Sequence, residues 1–129
     1  MPDHKVFISY SHPDSEWARS FAEALRQRGV PVWFDEFDVA PGESLRDALE
    51  AGLRESDIVV TVLNSQNPAK PALFFELGAA IGMNKRVVAI VPKDLDLAHL
   101  PFEFRLRKYL LRDSPQETAN ELSEALTAA

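Results

Sequence analysis

The sequence predicts an α/β fold: a five-stranded parallel sheet in the order 2-1-3-4-5 with helices on both faces, a flavodoxin-like three-layer sandwich. Three observations predict it. Short apolar runs alternate with stretches of helical periodicity along the whole chain. Asp57–Leu63 (DIVVTVL) is apolar on both of its faces, as a central parallel strand must be. The 129 residues suit one domain, 1–129, around one core, and no repeat, linker or low-complexity segment divides them.

Taken in order, Lys5–Tyr10 (KVFISY) is rich in strand formers and reads as the first strand. Ser11-His-Pro-Asp then gives a turn and a helix start, with Pro13 early, where its missing N–H is harmless. Trp17, Phe21, Ala24 and Leu25 recur at helical spacing until Gly29 stops the helix. Val30–Phe34 reads as the second strand and Asp35–Gly42 as a loop. Leu45, Leu49, Gly52 and Leu53 mark a second amphipathic helix, followed by the Asp57–Leu63 strand. Asn64–Pro71 is a polar loop, Pro71–Met83 an apolar helix, and Arg86–Val91 (RVVAIV) a fourth strand. Pro92–Pro101 is read as loop, and Arg107–Leu111 as a fifth, edge strand. Ser114-Pro-Gln-Glu117 has the form of a capping box with proline at the first helical position, opening a last helix to about Ala128.

Composition excludes several classes of function. A formal net charge of −6 argues against nucleic acid, because phosphate binding needs a basic face. The chain has no cysteine, hence no disulfide framework, no thiol nucleophile and no cysteine-ligated metal. His4, His12 and His99 show no metal-ligand spacing. The N-terminus enters a strand pattern without the apolar stretch of a signal peptide, and no apolar run approaches the ~20 residues that span a bilayer. A soluble cytoplasmic domain without membrane contact is expected.

In a doubly wound sheet, ligands bind beyond the carboxyl ends of the strands, near the point where the strand order reverses. The loops Ser11–Asp14, Asp35–Gly42 and Asn64–Pro71 emerge there. Glu76 lies early in the helix leaving the third loop, alone among apolar residues in PALFFELGAAIGM. At about 100° per residue, Leu73, Leu77, Ala80 and Ile81 form the buried stripe, and Glu76 falls at its margin. A carboxylate there is half-desolvated yet within reach of a ligand. The competing reading is a solvated glutamate paired with Lys70 or Lys85.

Four segments in register, KVFISYSHPD, GVPVWFDEFDVAPGESL, SDIVVTVLNSQ and ELGAAIGMNKRVVAIVP, resemble a TIR (Toll/interleukin-1 receptor) domain over nearly the whole chain. The resemblance implies cleavage of NAD⁺ at the nicotinamide–ribose bond, as a hydrolase or cyclase of immune or cell-death signalling in a bacterial setting. Glu76 matches the family's essential glutamate. NAD⁺ is then substrate, and neither a cofactor nor a metal is implied. Many members carry a tryptophan four residues before that glutamate; here the position holds Ala72. Some also carry basic residues after the first strand, where this chain has Ser11 and His12. The resemblance further implies self-association with other TIR domains, through the 35–42 loop and the 71–83 helix, where Gly78 and Gly82 form GxxxG.

The expected substrate-binding set is Ser9, Tyr10, Ser11, His12, Asp35, Phe37 and Gly42. Each has a plainer reading. Ser11 caps a helix, Asp35 serves a turn, Phe37 anchors its loop, Gly42 sets loop conformation, and Trp17 and Trp33 are core or half-buried surface. Two rival functions stand beside NAD⁺ cleavage. One is a non-catalytic TIR adaptor. The other is a nucleoside 2-deoxyribosyltransferase, to which Glu76-Leu-Gly-Ala-Ala80 has some likeness.

Overall fold

The computed structural model describes residues 5–10, 12–63, 85–94 and 109–127. Five strands form one parallel sheet: β1 (Val6–Ser9), β2 (Val32–Trp33), β3 (Ile58–Val62), β4 (Arg86–Val91) and β5 (Leu110–Leu111), in the order β2-β1-β3-β4-β5. That is the predicted order. The register runs Val6 with Val32 and Ile58, then Ile58 with Arg86 and Ile90 with Leu110. β3 is buried at every position, as its two-sided apolar pattern requires.

Alternation of side chains divides the core between the two faces. On one face Val6, Ile8, Val60 and Ile90 pack against helix α1 (Ser15–Gln27) and the C-terminal helix. On the other, Phe7, Val59 and Val87 pack with Trp33 and Leu53. Helices therefore lie on both faces, giving the three layers expected of a flavodoxin-like fold.

Helix ends follow their sequence signals. After α1, Gly29 adopts φ 78°, Val30 N–H bonds the Leu25 carbonyl, and Gly29 N–H bonds that of Arg26. These are the two hydrogen bonds of a Schellman stop. The Ser44 hydroxyl accepts from Asp47 N–H at 3.3 Å and opens α3 (Leu45–Glu55). Ser114 does the same for Glu117 N–H at 3.2 Å, ahead of α4 (Pro115–Thr127).

Gly52 of α3 lies directly against the side chain of a β2 residue. A Cβ there would lie 2.5 Å from the Trp33 indole. Trp33 in turn stacks on Phe7 at 4.8 Å with the rings 4° apart. The absent side chain is thus what lets α3 lie on β2.

Two expectations need correction. Asp35–Asp38, expected as loop, forms a short helix, α2. β2 is also shorter than expected; of the expected Arg107–Leu111 strand, Leu110–Leu111 forms β5, and residues 107 and 108 lie outside the described residues. The turn and helix start expected after β1 are found, as a 3-10 turn, His12–Asp14, ahead of α1, and Asp14 precedes the helix without a side-chain capping bond. The helix expected at 71–83, with Glu76, Ala72, Gly78 and Gly82, lies outside the described residues. So do Ser11, Lys70, His4 and His99.

Candidate active site

Tyr10 and Asp35 meet at the carboxyl ends of β1 and β2. Each follows its strand closely, and parallel pairing of β1 with β2 brings the two exits together. The Tyr10 hydroxyl donates to Asp35 Oδ1 at 2.6 Å. Its ring stacks on buried Phe34, with centroids 5.1 Å apart, so the hydroxyl is delivered by a fixed platform. Asp35 Oδ1 also accepts from Glu36 N–H at 2.9 Å. That second bond is local, between neighbours in the first turn of α2, whose N-cap Phe34 has no side-chain capping bond.

The network continues outward. Glu36 Oε2 lies 3.4 Å from the Tyr10 hydroxyl, a weaker contact than that to Asp35. Glu36 Oε1 accepts from Arg19 Nε at 3.0 Å and from Arg19 Nη2. Arg19 stands on α1, so β1, α1 and α2 are tied through one glutamate. Burial pushes the Tyr10 hydroxyl well above its ordinary 10.0, and the bond to Asp35 with the charges of Asp35 and Glu36 pushes it further. Tyr10 therefore stays a donor throughout the physiological range.

Beyond α2 the chain closes a turn on itself. Glu43 N–H bonds the Ala40 carbonyl at 3.1 Å, and Ala40 N–H bonds Glu43 Oε1 at 2.8 Å. Pro41 and Gly42 occupy the corners, and Gly42 has φ 89°, the conformation that a turn with proline second and glycine third requires. Gly42 thus has the conformational role weighed for it. Ser9 ends β1 buried, 3% exposed, in register with Thr61. His12 opens the 3-10 turn and Phe37 lies within α2.

A second polar cluster joins the exits of β3 and β5. Asp14, only 4% exposed, pairs with Arg112 Nη1 at 2.8 Å. The same nitrogen lies 3.4 Å from the Leu63 carbonyl. The guanidinium sits over the Trp17 ring at 4.8 Å, and Trp17 Nε1–H donates to the Asp113 carbonyl at 3.0 Å. Nearby, the Ser114 backbone N–H, and then Lys93, hold the Asp113 carboxyl below its usual range. Of the two tryptophans expected as core or half-buried surface, Trp17 is half-buried and engaged in this cluster, and Trp33 is core.

The sequence named Tyr10 and Asp35 separately but gave no sign of their bond. Asp14, Arg19, Glu36 and Arg112 escaped it altogether. The turn Ser11-His-Pro-Asp drew notice to Asp14's neighbourhood, whereas nothing local pointed to a partner 98 residues away. Among the described residues, no group of His, Asp and Glu side chains is placed to hold a metal ion. No helix among them is long and apolar enough to cross a membrane.

Comparison with known proteins agrees with this architecture. The chain is 38% identical over 81 residues to a 2′ cyclic ADP-D-ribose synthase, AbTIR of Acinetobacter baumannii; the match covers 62% of this chain and 30% of that protein. It is 37% identical over 65 residues to the NAD(+) hydrolase PdTIR of Paracoccus denitrificans, covering 50% and 22%. The matches thus span less than a third of the length of either relative. Among solved structures, the TIR domain of the Toll-related receptor TRR-2 from Hydra magnipapillata superposes with a TM-score of 0.74 at 17% identity, covering 95% of this chain and 97% of that one. The TIR domain family itself matches residues 6–127, nearly the whole sequence. The chain belongs to the TIR domain family.

Proposed function

We propose that this TIR domain cleaves NAD⁺ at the nicotinamide–ribose bond, releasing nicotinamide and either ADP-ribose or a cyclic isomer of it. The observation that carries the reading is the likeness, at 37–38% identity, to bacterial TIR proteins named NAD(+) hydrolase and 2′ cyclic ADP-D-ribose synthase. The half-buried Tyr10–Asp35 pair at the binding rim supports it, since a ribose diol needs a fixed acceptor.

The chemistry needs no metal or cofactor. As the C1′–N bond breaks, its electron pair leaves with nicotinamide, which departs neutral, and positive charge develops on the ribose. The Glu76 carboxylate is the group proposed to stabilise that charge. Water then attacks C1′ and loses a proton to solvent, giving ADP-ribose. Attack from within the same molecule gives the cyclic product. The setting is a cytoplasmic signalling or defence pathway. Self-association through the 35–42 loop and the 71–83 helix is part of the proposal.

The test is nicotinamide release by concentrated protein incubated with NAD⁺ across a protein concentration series. Release that rises faster than concentration, and falls at least about a hundredfold in Glu76→Gln, is the expected result. Release that persists in Glu76→Gln removes Glu76 from the reaction. Ala72, at the family's usual tryptophan position, favours one second reading: a TIR adaptor without catalysis. No release at any concentration would establish that reading, and turnover of deoxynucleosides instead would point to a deoxyribosyltransferase.

A further inference from the structure

We propose that Tyr10 is a positioning residue that acts on the substrate through Asp35, fixing the carboxylate so that Oδ2 accepts a hydroxyl of the NAD⁺ ribose. The inference rests on the NAD⁺-cleaving reading and deepens it.

Three features of the geometry carry it. First, the Tyr10 hydroxyl and Glu36 N–H both bond Asp35 Oδ1, at 2.6 and 2.9 Å. Among the described residues no donor falls on Oδ2. Two donors on one oxygen fix the carboxylate plane and leave the other oxygen with its acceptor capacity intact. Second, the single hydroxyl proton of Tyr10 is committed to Asp35, so Tyr10 has none to give a ligand. Burial and the neighbouring carboxylates raise its pKa and hold that proton on the hydroxyl. Third, the arrangement is braced from behind. The Tyr10 ring stacks on fully buried Phe34, and Glu36 is held by Arg19 of α1. An acceptor held in this way binds a diol without first ordering its own side chain.

A purely structural anchor for α2 would use the same bond, and kinetics separate the two roles. Tyr10→Phe keeps the ring on Phe34 and removes only the hydroxyl. Expected is a rise in KM for NAD⁺ of about tenfold, the usual worth of one hydrogen bond to a charged group, with kcat changed less than about twofold. Asp35→Asn should raise KM by at least as much. The double variant should be no worse than Asp35→Asn alone, because Tyr10 has then lost the group through which it acts. Melting curves of each variant establish that the assay temperature lies below the transition. An unchanged KM in Tyr10→Phe, with or without a lowered melting temperature, overturns the inference and leaves a structural bond. Full additivity in the double variant overturns it too. Absence of NAD⁺ cleavage in the unsubstituted chain is a different failure: it removes the proposed function, and this inference with it, before any variant is made.

Discussion

The two polar clusters on the rim are built from the same kinds of group and finish in opposite conditions. At the exits of β3 and β5, Asp14 is 4% exposed and the Arg112 side chain 21%, and the guanidinium is shared between a carboxylate, a carbonyl and an indole face. At the exits of β1 and β2, Asp35 remains half-buried, and its two donors from the described residues share one oxygen. Burial decides the difference. A charge taken out of water must be fully matched, so the Asp14–Arg112 pair answers mainly to the fold. A carboxylate kept at the boundary retains capacity for something that is not part of the chain.

The buried cluster depends most on Arg112. Arg112→Ala leaves the Asp14 carboxylate buried without its cation, and such a loss costs about 3–5 kcal/mol. A denaturation midpoint that hardly moves would show the pair to be ornamental. Adding Asp14→Ala to that variant should cost less than the sum of the two single changes, because no uncompensated charge then remains.

Gly52→Ala tests the support beneath the other cluster. The new Cβ would press on the Trp33 indole, which is stacked on Phe7 two residues before Asp35. Overpacking of this kind costs about 1–3 kcal/mol, and it displaces β2 rather than β5. The expected outcome is lowered stability in chemical denaturation.

The smallest effect is a matter of pH. The folded state holds the Tyr10 hydroxyl above its ordinary value of 10.0. Its contribution to stability is therefore fully present below about pH 10 and declines as pH rises beyond it. Ultraviolet titration should show one tyrosine ionising late in the folded chain. Tyr10→Phe should be less sensitive than the unsubstituted protein to unfolding at high pH.

The fold was legible where signals are local. The two-sided apolar run of β3, the Ser114 cap and Gly29 all act within a few residues, and each marks its element. α2 was read as loop because DEFD is too short to show periodicity, and the contact that ties it down, Tyr10 to Asp35, comes from a distant strand end. The candidate site was legible only as a set of positions at strand ends, since topology alone sends those positions to one rim. Their pairing was not, because Tyr10 and Asp35 lie 25 residues apart and Asp14 and Arg112 98. Glu76 lies outside the described residues, and its role stands on the family likeness and the proposed assay.

The chain has only two tryptophans, and they divide between these regions. Trp17 lies beneath the Arg112 guanidinium with its indole N–H on the Asp113 carbonyl, whereas Trp33 lies flat on Phe7 under α3. Intrinsic fluorescence is therefore already a two-channel probe. Trp17→Phe isolates the emission from the β2 side and Trp33→Phe that from the β5 side. Stopped-flow traces of the two single-tryptophan chains would then time the loosening of each end of the sheet separately, with no dye attached.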